Sequence, residues 1–204
     1  MAHLNGTHLV TVPVDHTSSR RILGHTVRMD GEWIAHSERS IYESEWMSLR
    51  MVDVETPSGK RFDHHVLRMP NDAAGSLVVV DDAVLLIWRH RFVTDTWGWE
   101  IPAGRIDPDE SIGQAAAREC LEETGWEPGP TEPFISWCPA NGSIDLRFNV
   151  VRATEAVHRG EPSDPDEAAK VEWFSLSDIP ALLKAGEIGD GLSVVALLAE
   201  LAGI

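Results

Sequence analysis

The chain has 204 residues, 43% of them hydrophobic, enough for one domain with a sizeable core and an elaborated terminus. Its 33 acidic residues against 17 basic give a net charge of −16, which disfavours a nucleic-acid partner because phosphate neutralisation demands a basic footprint. No apolar run approaches the roughly eighteen residues of a membrane span, the N-terminus lacks a secretion layout, and two cysteines make no disulfide framework. A cytoplasmic protein without a membrane partner is expected.

Residues 1–22 carry little periodicity and are read as a mobile N-terminal arm. From Thr26 to Val66 the pattern becomes that of β structure. The runs HTVRM, WMSLRMVDVET and RFDHHVLRM are separated by Asp30-Gly31-Glu32 and Pro57-Ser58-Gly59-Lys60, both turn sequences. Residues 23–70 are therefore predicted as an N-terminal β subdomain whose second and third runs form a hairpin. Residues 71–204 make the main domain. Within it, Leu77 to Val80 and Ala83 to Trp88 read as buried strands around an Asp81-Asp82 turn, followed by RHRFVTDTWGWEIPAG at residues 89–104.

The most informative stretch is Gly104 to Trp126, GRIDPDESIGQAAARECLEETGW. Ser111 to Gln114 has the S-x-x-Q form of a capping box, and Gly125 is placed to end a helix in a left-handed cap, so residues 111–124 are predicted as one helix. Positions three and four apart share a face, which brings Glu119, Glu122 and Glu123 together. Solvent, Arg118 or a divalent cation must offset their repulsion, and hard oxygen ligands suit Mg2+ or Mn2+. Cys120 falls in an apolar slot and is read as core.

Beyond the helix, Pro133 to Trp137, Leu146 to Ala153 and Lys170 to Phe174 read as strands. A Pro- and Gly-bearing loop at Cys138 to Ser143 and an acidic loop at Glu161 to Glu167 lie between them. The C-terminal part has helical spacing at Ile179, Leu182 and Leu183, then at Leu192, Val195, Leu197, Leu198 and Leu201, broken at Gly186 to Gly191. That apolar stripe is core or dimer surface. Of eight tryptophans, Trp88, Trp97, Trp99, Trp126, Trp137 and Trp173 are expected mostly in the core. His64-His65 point to opposite faces of a strand and make no zinc pair. Neither a serine-hydrolase elbow nor a P-loop is present.

The spacing G-x5-E-x7-R-E-x-x-E-E-x-G over Gly104, Glu110, Arg118, Glu119, Glu122, Glu123 and Gly125 resembles the signature of the Nudix hydrolases. Glu100, Pro102, Ala103, Gly104 and Arg91, with the N-terminal β subdomain, are similar to the ADP-ribose pyrophosphatase branch. Arg89-His90 stand where that branch usually has glutamine and tyrosine. The resemblance implies an α/β fold with a mixed sheet sandwiched between helices, the signature forming a loop-helix-loop.

It further implies a metal site of the Ala103 carbonyl, Glu119, Glu122 and Glu123, with Arg118 orienting the glutamates and Arg91 and Glu100 on the substrate. Trp46 would stack on the base, with Trp97 the second candidate. Glu167, or next Asp166, would activate the attacking water or complete the metal shell. The implied reaction is Mg2+- or Mn2+-dependent hydrolysis of ADP-ribose to AMP and ribose 5-phosphate by a homodimer. Alternatives are another nucleoside diphosphate sugar or dinucleotide, such as GDP-mannose or NADH, and a non-catalytic nucleotide-sugar sensor. Sensors typically carry a degraded signature, whereas every charged position stands here.

Overall fold

A computed structural model describes residues 31–163 and 166–204. The predicted arm at residues 1–22 and the HTVRM strand lie outside the described residues. β1 (Ile34–Glu43), β2 (Ser48–Glu55) and β3 (Arg61–Arg68) form a three-stranded antiparallel sheet in that order. The β2–β3 hairpin is the predicted one, closed through a Thr56 N–H to Lys60 carbonyl bond of 2.9 Å, with Gly59 at a φ of 84°. β1 was not predicted. Its sequence IAHSERSIYE is exposed along almost its whole length, so no alternation of polar and apolar residues marks it. Pairing with β2, from Ile34 opposite Glu55 to Glu43 opposite Ser48, makes it a strand.

The main domain runs β4 (Ala73–Val80), β5 (Ala83–Arg91), β6 (Thr96–Glu100), β7 (Ala103–Arg105), α1 (Ile112–Thr124), β8 (Trp126–Pro128), β9 (Thr131–Trp137), β10 (Phe148–Ala153), β11 (Ala156–His158), β12 (Lys170–Ser175), α2 (Ile179–Ala185) and α3 (Gly191–Ala202). Its seven-stranded sheet has the order β12-β5-β4-β10-β9, with β6 added to β5 and β7 to β4, while β8 and β11 pair separately. β4 and β10 are parallel and the other pairs antiparallel, so the sheet is mixed. The run AAGSLVVV of β4 is buried on both faces, as a central strand should be. Asp81 and Asp82 both take positive φ, 47° and 64°, in the tight turn to β5. Their short polar side chains tolerate that conformation.

Period-two alternation divides the core into two layers. On one face Ala74 meets Ala115 and Ala116 of α1, and Val78 and Leu85 meet Cys120. On the other, Leu77, Val79, Val84 and Leu86 pack with Ile179, Ala196 and Leu197. The sheet therefore lies between helices, as expected. Cys120 is buried in the core, and burial pushes its thiol up to about 12. Of the C-terminal stripe, Leu192 and Leu197 are core while Leu198 and Leu201 are exposed, and the small residues Ser193, Ala196 and Ala199 let α3 approach the sheet closely along the buried line. Trp97 is 52% exposed and so is not core.

The N-terminal sheet joins the main domain through the 141–145 loop. Leu67 donates its N–H to the Ser143 carbonyl at 2.8 Å, and a ring nitrogen of His64 lies 2.8 Å from the Gly142 carbonyl. A cavity of about 430 Å³ at this junction is walled by Trp33, Val54, Val66 and Ile144. The acidic residues of α1 do not line it.

Candidate active site

The acidic helix forms as its ends dictate. Ser111 Oγ accepts from the Gln114 N–H at 3.3 Å, and Gln114 Oε1 accepts from the Ser111 N–H at 2.9 Å, completing the predicted capping box. Gly125 ends the helix at a φ of 73°, donating to the Leu121 carbonyl at 2.8 Å. A methyl group at Gly125 would also fall 2.0 Å from the Gly160 carbonyl oxygen. Glycine is thus required there both for φ and for space.

Arg118 organises one side of the helix. Its Nε and Nη2 each donate to Glu110 at 2.9 Å, a two-pronged grip, while Nη1 donates to Glu119 at 2.8 Å and Glu122 at 3.1 Å. Nη2 also meets the Arg105 carbonyl at 3.1 Å. These carboxylates raise the Arg118 pKa, and Arg118 in turn holds Glu110 below the usual carboxylate range. Glu110 therefore has a physical reason for its place in the motif: it fixes the arginine that fixes two other glutamates.

Glu119 is partly buried, and burial raises its carboxyl pKa against the opposing pull of Arg118. Its carboxylate fills the space a side chain at Gly104 would need. A Cβ there would lie 2.2 Å from both Cδ and Oε1 of Glu119. Glu123 is buried more deeply, at 3% exposure. Its Oε2 accepts from the Ala103 N–H at 2.9 Å and its Oε1 from Arg89 Nη1 at 3.0 Å. Burial pushes its carboxyl up to about 7, with Arg89 the main opposing influence.

The two arginines of β5 approach from the sheet. Arg89 and Arg91 are two residues apart on one strand and share the face turned to α1. Arg91 grips the buried Glu100, with Nε 3.0 and 3.2 Å from its two oxygens and Nη2 2.5 Å from Oε2. Burial opposes the Arg91 charge, but Glu100 outweighs it and the pKa lies above the ordinary value. Arg89 bridges Glu123 and Glu167. It is the site residue that sequence reasoning missed. The usable signal was its spacing of two from Arg91 on a strand.

The structure thus gathers Ala103, Arg118, Glu119, Glu122, Glu123 and Glu167 around the start of β7 and the middle of α1, with Arg91 and Glu100 alongside. Trp46 sits in the β1–β2 turn, 58% exposed, with the Arg105 guanidinium 4.2 Å from its ring centre, one residue beyond Gly104. Asp166 is exposed. Trp97 stands apart. It pairs with His90 in the sheet register and stacks on Trp88 and His90, on the face opposite Arg89, Arg91 and Glu100.

Residues 69–193, which hold every one of these side chains except Trp46, match the family model of the NUDIX domain. The chain belongs to the Nudix hydrolase family. A relative from Streptomyces rubellomurinus, named CMP-5'-(N-acetyl-N-hydroxy-3-aminopropyl)phosphonate hydrolase, is 34% identical over 172 residues, covering 83% of this chain and 82% of that protein. The ADP-ribose pyrophosphatase of Bacillus subtilis is 24% identical, with 79% of this chain and 88% of that protein covered. The ADP compounds hydrolase NudE of Escherichia coli is 27% identical, with coverage of 78% and 86%. A crystal structure of an ADP compounds hydrolase superposes with a TM-score of 0.76 at 21% identity, covering 86% of this chain and 96% of that one, which shows the shared fold.

Nudix hydrolases generally use divalent metal ions. Among the described residues no three His, Cys, Asp or Glu side chains already converge as a metal cage. Glu119 and Glu122 turn to Arg118, and Glu123 turns to Arg89. The donor set nevertheless fits a hard cation: oxygen donors only, carboxylates and a backbone carbonyl, beside a glycine that leaves the Glu119 carboxylate its space. No helix among the described residues is long and apolar enough to cross a membrane.

Proposed function

We propose that this Nudix enzyme hydrolyses the pyrophosphate bond of a nucleoside diphosphate linked to a second group, in a reaction dependent on Mg2+ or Mn2+, with ADP-ribose cleaved to AMP and ribose 5-phosphate. The observation that carries this is the convergence, behind an intact signature, of Glu119 over Gly104 and Glu123 against the Ala103 amide, with Glu167 reached through Arg89. The names of the Bacillus subtilis and Escherichia coli relatives support the ADP-linked substrate class.

Glu119, Glu122, Glu123 and the Ala103 carbonyl would hold the metal. Held there, a divalent cation would neutralise charge on a diphosphate and lower the pKa of water. The chain's own residues supply the rest. Glu110 fixes Arg118, which fixes Glu119 and Glu122. Glu167, or Asp166 beside it, takes the proton of the attacking water. The water oxygen bonds to one phosphorus, the bridging P–O bond breaks, and the bridging oxygen leaves with the second phosphate. Arg91, held by Glu100, meets the substrate, and Trp46 offers its ring to the base. The N-terminal sheet would serve a homodimer in the cytoplasm.

A second reading comes from the Streptomyces relative, whose named substrate joins a nucleotide to a phosphonate. Both substrates offer a nucleotide joined to a second phosphorus acid. The test is product analysis with Mg2+ or Mn2+ on ADP-ribose, a CMP-linked phosphonate, GDP-mannose, NADH, diadenosine polyphosphates and nucleoside triphosphates, for the wild type and Glu123→Gln. Preferred cleavage of ADP-ribose, lost in the variant, is expected. Preference for another compound keeps the chemistry and changes the substrate. Tight binding without turnover moves the protein to the sensor class.

A further inference from the structure

Arg89 side-chain exposure is 12%, and the Glu123 it contacts is almost fully enclosed. A buried guanidinium is tolerated only against a compensating charge. Here one prong meets Glu123, another meets Glu167, and Nε is the single buried side-chain polar atom without a partner among the described residues. Both oxygens of Glu123 accept a hydrogen bond. Oε2 accepts from the Ala103 amide, which is backbone of β7 held in the sheet against β4. Oε1 accepts from Arg89, a side-chain donor carried on rotatable bonds that the backbone amide lacks. A cation that takes Glu123 as a ligand comes within a few ångströms of the Arg89 guanidinium, and it is this charged group, not the neutral amide, that opposes it.

We infer that Arg89 is a positioning residue that acts as an internal counter-cation. It holds the Glu123 carboxylate in place before metal arrives, opposes the divalent cation at Oε1 by its charge, and keeps its grip on Glu167 when displaced. This rests on the metal reading of Glu123 proposed above. It sets the metal affinity of the substrate-free protein, because like charges a few ångströms apart in a partly desolvated site repel strongly.

The experiment is Mn2+ binding to the substrate-free protein, followed by loss of the free-ion electron paramagnetic resonance signal, for wild type, Arg89→Gln, Arg89→Lys and Glu123→Gln. The expected result is that Arg89→Gln binds Mn2+ about ten-fold more tightly than wild type, while Arg89→Lys, which keeps the charge, stays within about three-fold. A merely structural role would weaken binding in both Arg89 variants. Equal or weaker Mn2+ binding by Arg89→Gln, with wild-type binding intact and weakened by Glu123→Gln, overturns the inference and leaves the metal site standing. Mn2+ binding that Glu123→Gln does not alter overturns the metal reading and the inference with it. If Arg89→Gln does not fold, Arg89→Met preserves the length of the stem and is held to the same ten-fold expectation.

Discussion

Gly104→Ala isolates the contact between the glycine loop and the acidic helix. The added methyl would sit 2.2 Å from Cδ and Oε1 of Glu119 and 2.4 Å from Oε2, where ordinary contact begins at 3.4 Å. Gly104 is not in the left-handed region, so alanine is compatible with its backbone. The clash is with the end of a flexible side chain, so Glu119 gives way and the fold survives at a cost of about 1 kcal/mol, a shift of roughly 2–4 °C in melting temperature. The carboxylate has to retreat by more than about 1 Å, and a displacement of that size at a reacting centre costs on the order of 100-fold in rate. The assay is kcat/KM on the preferred substrate, with thermal melting of the same preparation. Full activity in Gly104→Ala would refute the placement of Glu119 at the reaction centre. A loss of more than about 10 °C would show that the loop, not the side chain, bears the strain.

Three further outcomes are expected. In the metal-free protein the Glu123 carboxyl is raised from 4.5 to about 7, so the folded state holds its proton more tightly than the unfolded chain. Its contribution to stability is complete below 4.5 and lost as pH rises through about 7, up to about 3 kcal/mol. Urea unfolding in a chelator at pH 4.5 and pH 8 should therefore show a smaller loss in Glu123→Gln, and identical losses would contradict the burial argument. Gly125→Ala forces a left-handed φ on alanine and drives its methyl into the Gly160 carbonyl, which should lower the melting temperature by roughly 6–12 °C. An unchanged melt would mean that the helix end relaxes freely. Glu167→Gln should reduce kcat by at least about 100-fold and Asp166→Asn by only a few-fold; the reverse order would move the base by one residue.

Most of the fold was legible because its signals are local. The capping box at Ser111 and Gln114 and the glycine stop at Gly125 fixed α1 to within a residue. The apolar runs of β4 and β5 announced a central pair buried on both sides. β1 was illegible because an exposed strand leaves no hydrophobic period, and its hydrogen bonds come from β2. Which leucines of α3 are core and which are surface was not legible, because small residues mark close approach without looking hydrophobic.

The same division runs through the site. Spacing along one helix determined that Glu119, Glu122 and Glu123 share a neighbourhood with Arg118, since the helical period is a property of the chain itself. The sequence could not say that Arg89 reaches across from β5 to join Glu123 to Glu167, or that Trp97 faces away from Arg91 and Glu100. Nor could it say that Trp46 comes to rest beside Arg105. The Arg89 and Trp46 contacts join segments far apart in the chain, and strand register and layer packing set which residues meet.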